Sequence, residues 1–392
     1  MSAPVNRRQW LISTGLAAGS SVLLPSMLPA LRSARSLEGA GEYSDRLLEM
    51  EASATEARRA AGPVRLASNE NPFGMSPKAK DAIMAGWFEH SQYGLQSAGV
   101  LQKVFAKHAG VDPSNVLITQ GSSETLSIAA LAFGLHGGEV VTAWPTFEGL
   151  PRYAAGMGAT VHKVPLTAAL GHDFAAMDAR ITNAVNLVFV CNPNNPSSTL
   201  EPNDTVRSFV SAAQHQALVL VDEAYHDFVD EPSYRSLTDL VLKGENVIIS
   251  RTASKIHGIA GLRVGFAIAR PDIIERMKGF MTGNPNAFGM QAAIASLEDT
   301  AYQTFVKNRN REGRALLTSA LTAMGKRVAP SQTNFVYFQA GIPNEQFRAA
   351  MKEKGFLTGR NFPPYMDWAR VSIGTPDEMK AFVAALPATL RV

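Results

Sequence analysis

Residues 217–228 read ALVLVDEAYHDF and residues 247–255 read VIISRTASK. Each is a short, continuous apolar run that stops at a polar cluster. A run of this kind suits a strand covered on both faces, in a mainly parallel sheet wrapped by helices. Five further apolar runs, mostly continuous rather than alternating, lie at 115–119, 139–144, 160–165, 187–191 and 264–269, and several of the seven end in a polar cluster. Separated by helical stretches, the seven predict an α/β fold: a large domain with a seven-stranded, mainly parallel sheet, plus a smaller α/β domain. Open α/β sheets bind ligands beyond the carboxyl ends of their strands. The clusters that end the runs, NPNNP (192–196), DEAYHDF (222–228) and RTASK (251–255), therefore stand where chemistry is expected.

A polar, helical arm is predicted over residues 42–61. From about residue 271 the pattern becomes a long helical region, an apolar run at 333–338, a Gly/Pro-rich stretch at 358–364 and a run at 370–374. This predicts a smaller domain of two or three strands, completed by residues 62–88. The expected boundaries are 37–88 for the arm and part of the small domain, 89–275 for the large domain and 276–392 for the rest of the small one. There is no internal repeat and no low-complexity segment.

The chain has 392 residues, 46% apolar and 18% charged, with 31 Gly and 22 Pro. That profile fits a compact enzyme and excludes disorder, collagen and coiled coil. The single cysteine, Cys191, excludes an intramolecular disulfide and a thiolate zinc cluster. A net charge of +3 invites a nucleic-acid reading, but residues 1–36 carry Arg7, Arg8, Arg32 and Arg35 and no acid, and without them the chain stands at −1. The basic excess belongs to a leader. Arg7-Arg8 followed by Trp10-Leu11 and a mildly apolar stretch to Leu31 has the layout of a signal peptide similar to the twin-arginine type, with cleavage expected after Ser36. An uncleaved membrane anchor is the alternative, though Pro25 and Pro29 make a poor lipid-facing helix. Twin-arginine export carries folded proteins, so a cofactor can be loaded before transit through the translocase. The expected location is the periplasm or beyond.

No GxGxxG follows a strand, and Walker, HExxH and GxSxG motifs are absent. The eight histidines lack metal-ligand spacing. What remains fits pyridoxal phosphate, which needs a lysine for its aldehyde and a carboxylate for its ring nitrogen. It also needs donors for the ring hydroxyl, an aromatic plane and a phosphate cradle. Lys255 follows one strand, and Asp222 ends another with Tyr225 three residues on. Asn195 can donate to the ring hydroxyl and Phe147 can stack on the ring. Ser122 and Ser123 open a helix, where backbone N–H groups bind anions, and Thr252, Ser254 and Arg263 can complete the cradle. Arg370 can grip a substrate carboxylate bidentately. Alone, each has a plainer reading as a surface lysine, a capping acid, a turn or a core phenylalanine. Their order along the chain carries the case.

With ASNENPFG (67–74), QYG (92–94), GSSE (121–124), PTF (145–147), NPNNP, DEAYHDF, RTASK, GLRVGF (261–266) and RVSIG (370–374), the chain resembles the fold-type I pyridoxal-phosphate aminotransferases of classes I and II. It is most similar to the histidinol-phosphate branch, over roughly residues 62–392. The resemblance implies that Lys255 forms the Schiff base, Asp222 pairs with the ring nitrogen, Tyr225 and Asn195 bind the ring hydroxyl, and Phe147 stacks on the ring. It implies that Ser122, Ser123, Thr252, Ser254 and Arg263 hold the phosphate, and that Asn69 and Arg370 meet the substrate carboxylate. It also implies a homodimer with shared sites, in which Tyr93 reaches the partner subunit's phosphate site. The reaction expected is transfer of an amino group from an amino acid, or a histidinol-phosphate-like amine, to a 2-oxo acid.

Three departures from the family pattern stand out. Ser197-Ser198 replaces Thr-Gly after NPNNP, and His257 replaces an aromatic after the lysine. Arg360 stands where the branch grips a substrate phosphate, but the NFPPYMDW that follows is bulky and apolar. An exported enzyme is also ill placed to serve histidine biosynthesis, whose intermediates are cytosolic. The same fold hosts decarboxylases, racemases, cyclases and oxidases. A non-catalytic binding module is a further alternative, opposed by the intact Lys255, Asp222 and Arg370 set. A transcription regulator finds no DNA-binding helix-turn-helix at the N-terminus.

Overall fold

In a computed structural model the described residues are 39–390, apart from Gln92, Leu135 and His136. The leader read at residues 1–36 lies outside them. The chain divides into two compact units, residues 1–48 and 49–392, and the described part of the first is the start of a helix, Gly39–Ala60.

The strands are β1 (Val64–Leu66), β2 (Val116–Thr119), β3 (Glu139–Trp144), β4 (Thr160–Pro165), β5 (Val185–Cys191), β6 (Leu218–Asp222), β7 (Val247–Thr252), β8 (Gly265–Ile268), β9 (Phe335–Gln339), β10 (Phe356–Thr358) and β11 (Trp368–Ser372). Seven of them form one sheet in the order β2-β8-β7-β6-β5-β3-β4. Only β8 opposes its neighbours, pairing antiparallel with both β2 and β7. The fold is that of the fold-type I transferases: α/β, with a mainly parallel seven-stranded sheet inside helices.

The continuous apolar runs have a direct cause. Successive strand side chains point to opposite faces, and both faces are buried. Val188 and Val190 of β5, Val219 and Val221 of β6, and Val247 and Ile249 of β7 enter one core. Leu187, Phe189, Leu218, Leu220 and Ile248 enter the other. Each such side chain contributes roughly 1.5–3 kcal/mol by leaving water, so apolar residues fill the middle of these strands and polar ones gather towards their ends, as Ser250, Arg251 and Thr252 do in β7.

The remaining strands form two separate ladders, β1 parallel to β10 and β9 antiparallel to β11. A third core, including Leu66, Phe338, Phe347, Val371 and Phe382, lies under them. Strand β10 falls mostly before the Gly/Pro-rich stretch of 358–364 and has only three residues, too few for a periodic signal. The helix Pro376–Thr389 is held by a capping box in which Thr375 and Glu378 satisfy each other's backbone N–H groups. Arg58 pairs with the same Glu378 at 2.7 Å.

Two histidines are more deeply placed than their scattered spacing suggests. His172 is buried against Glu201 (Nδ1 to Oε1, 2.8 Å) and His257 against the Ser296 hydroxyl at 2.8 Å. Among the described residues no three or more His, Cys, Asp or Glu are grouped to hold a metal ion. No helix among them is long and apolar enough to cross a membrane.

Candidate active site

Strand register builds the floor of the site. Asp222, the last residue of β6, is paired with Cys191 on β5 and with Ser250 on β7. Beyond these strand ends opens a cavity of about 490 Å³. Asn69, Ser122, Ser123, Phe147, Asn195, Asp222, Tyr225, Thr252, Ser254, Lys255, Arg263, Arg360 and Arg370 all line it. Tyr93 does not: it is 93% exposed on a separate open groove with Leu95, Val100 and Gln291.

Lys255 sits just past β7, and its Nζ donates to the Asn69 carbonyl at 3.1 Å. Burial, with Arg370 adding cationic repulsion, pushes its pKa down to about 8. Burial pushes Asp222 up to about 6, with Ser250, the Ala224 backbone and Lys255 pulling the other way. Asp222 Oδ1 is buried with no hydrogen-bond partner. An acceptor left so at the end of a strand calls for a donor from a ligand, since a buried unpaired group costs about 1–3 kcal/mol.

The phenol of Tyr225 takes hydrogen bonds from Asn69 Nδ2 at 3.0 Å and Asn195 Nδ2 at 3.3 Å. Burial raises its pKa well above that of free tyrosine, so it stays a neutral hydroxyl. Asn69 is held in the left-handed region, φ 55°, by a web of bonds. Its N–H donates to Ser372 Oγ, its Oδ1 accepts from the same hydroxyl, and its carbonyl accepts from Asn334. Asparagine tolerates this conformation better than most residues.

Across the cavity, the helix Ser122–Gly134 starts at the wall. Gly121 has φ +79°, and a Cβ there would stand 2.3 Å from Arg263 Nη2. A Cβ on Gly265 would stand 2.3 Å from the Gly121 carbonyl carbon. The two glycines let backbone, helix start and guanidinium converge on a single point. Thr252 and Ser254 add hydroxyls 3.0 Å apart. This is the donor set a phosphate dianion requires.

Arg370, 8% exposed, donates to Asn195 Oδ1 and to the Ala67 carbonyl, both at 2.6 Å, and its Nε is buried without a partner. Phe362 lies 4.8 Å from its guanidinium. The second acid of DEAYHDF supports the first. Glu223 is clamped by Arg251 at 2.9 Å and bonds the Ser236 hydroxyl and the Leu237 N–H, which fixes the segment carrying Asp222 and Tyr225.

Thr146, Cys191, Glu70 and Phe362 also line the cavity, and their sequence context does not single them out as site residues. Thr146 and Cys191 are signalled only by adjacency, since they neighbour Phe147 and the NPNNP cluster. Phe362 has no local signal. The orphaned carboxylate oxygen, the lysine of lowered pKa and the anion cradle together fit pyridoxal phosphate, and that is the cofactor of this site.

Known proteins share this architecture. Residues 61–386 match the family model described as aminotransferase class I and II. A histidinol-phosphate aminotransferase of Moorella thermoacetica is 36% identical over 327 residues, covering 82% of this chain and 84% of that one. An aromatic amino acid aminotransferase of Rhodococcus jostii is 36% identical over 330 residues, covering 84% of this chain and 90% of its own length. The crystal structure of histidinol-phosphate aminotransferase from Sinorhizobium meliloti in complex with pyridoxal-5'-phosphate superposes with a TM-score of 0.78 at 27% identity, covering 83% of this chain and 90% of that one. The chain belongs to the class I and II aminotransferases, as a pyridoxal-phosphate-dependent member similar to the histidinol-phosphate branch.

Proposed function

We propose that this aminotransferase moves an amino group from an α-amino acid to a 2-oxo acid, and that it works outside the cytoplasm. The observation that carries the first part is the convergence of Lys255, Asp222 and Arg370 on one cavity. When bound, pyridoxal phosphate supplies a carbonyl that captures amines and a protonated ring that draws electron density from the substrate's α carbon. Asp222 would keep the proton on the ring nitrogen. Tyr225 and Asn195 would hold the ring hydroxyl, and Phe147 would stack on the ring. Ser122, Ser123, Thr252, Ser254 and Arg263 would fix the phosphate end. Lys255, whose amine is half neutral near pH 8, would take the α-proton as a general base and give it back as a general acid. Arg370 and Asn69 would orient the substrate carboxylate.

A panel of amino acids with a 2-oxo acid acceptor tests this reading. Appearance of the donor's own oxo acid supports it. An amine with carbon dioxide, or the mirror-image amino acid, would assign the site to decarboxylation or racemisation. A histidinol-phosphate-like amine is the second reading, favoured by the similarity to the histidinol-phosphate aminotransferase of Moorella.

Two further parts follow from the sequence. The exposed groove with Tyr93, Leu95 and Val100 is the face through which a second copy would dock and lend Tyr93 to its neighbour's phosphate site. The Arg7-Arg8 leader would send the folded, cofactor-loaded enzyme through the twin-arginine translocase. Replacing both arginines by lysine should keep the protein in the cytoplasm, and unchanged export would refute the route.

A further inference from the structure

Glu148 precedes the helix Gly149–Gly156 in the N-cap position, yet its side chain makes no capping bond. It reaches instead across the fold to Arg360, Oε2 to Nη2 at 2.7 Å, joining residues 212 apart in sequence. Arg360 also donates to the Asn361 carbonyl at 3.0 Å and stands 4.4 Å from the Phe362 ring. Arg370 approaches the same ring, but its hydrogen bonds go to neutral oxygens of Asn195 and Ala67.

The two cavity arginines are therefore unequal. An incoming carboxylate meets a guanidinium without a counter-charge at Arg370, and one already neutralised at Arg360. A substrate with an anionic far end would have to displace Glu148 from Arg360 and remain beside its charge. A substrate with an uncharged far end meets the Phe362 ring and a closed ion pair.

We propose that Glu148 is a positioning residue that holds Arg360 at the wall of the substrate cavity and so selects against substrates whose far end is anionic. The proposal rests on the reading of Arg370 as the carboxylate anchor. It concerns binding rather than the chemical step, so its effect falls on Kd and KM and leaves kcat to other groups.

The test uses the full, cofactor-loaded enzyme and two five-carbon probes of similar shape, glutarate and pentanoate, bound in place of substrate and followed by the cofactor's absorbance. Glu148→Gln should shift the ratio of affinities towards glutarate by at least about fivefold, and adding Arg360→Ala should abolish the shift. An unchanged ratio, or a shift that persists without Arg360, overturns the proposal. Failure of both probes to bind would remove the Arg370 anchor and the proposal with it. If the shift occurs but no amino acid is transaminated, the reaction assignment falls and the selectivity device stands.

Discussion

Arg370 Nη1 donates to Asn195 Oδ1 at 2.6 Å. Because the amide oxygen is taken by the guanidinium, the Nδ2 of Asn195 is the atom that faces Tyr225, at 3.3 Å. One arginine thus orients the amide whose Nδ2 meets Tyr225 while itself lining the cavity. The two halves of the site are coupled through a single amide.

From that coupling, Arg370→Lys should cost more than a lost carboxylate contact. Lysine keeps the charge but cannot serve the amide and a carboxylate in one plane. We expect kcat/KM for amino acids to fall about 10–100-fold, corresponding to about 1.5–3 kcal/mol for a charge-assisted bond. Steady-state kinetics on two donors measures it, and a change under twofold would remove Arg370 from the substrate site.

Asp222→Asn keeps the shape of the strand end and removes the charge. The ring nitrogen then loses the carboxylate that holds its proton, and turnover should fall by on the order of 10²–10³-fold, as for loss of one preorganised electrostatic partner. Cofactor binding measured alongside separates this from simple loss of the cofactor.

The pH dependence follows from Lys255. Its folded pKa of about 8 lies below that of free lysine, so the neutral amine appears as pH rises through about 8. Cofactor capture by the cofactor-free enzyme should accelerate through that pH and level off by about pH 9. Arg370→Gln removes one source of repulsion, so the inflection should move upward. A rate still climbing above about pH 10 would show an unperturbed lysine.

Gly265→Ala places a methyl 2.3 Å from the Gly121 carbonyl carbon. Backbone must shift to admit it, at a cost of about 1–3 kcal/mol. Both thermal stability and cofactor affinity should drop, measurable by melting temperature and equilibrium dialysis, because the displaced backbone is the start of the helix at Ser122.

The legibility of this fold follows from where its signals lie. A polar residue ending an apolar strand, as Asp222 ends β6 and Thr252 ends β7, is a local event that sequence reports directly. All seven runs of the large sheet, and most of the residues lining the cavity, are readable for that reason. The Glu148–Arg360 pair and the bonding of Asn69 to Ser372, 303 residues away, are products of folding, with no local trace. Strand β10 is too short to carry a period, and the two small ladders are separate because their pairing joins distant segments. Tyr93 is readable only by resemblance, since nothing within one chain brings it to the cavity.

The central claim is that Lys255 carries the amino-group transfer in this cavity, and single turnover tests it most directly. Cofactor-loaded enzyme mixed with one amino acid, without acceptor, should convert its cofactor to pyridoxamine phosphate and release one equivalent of oxo acid. Lys255→Ala, folded and still holding cofactor, should do so at least about 10²-fold more slowly. Equal conversion by both proteins would contradict the account.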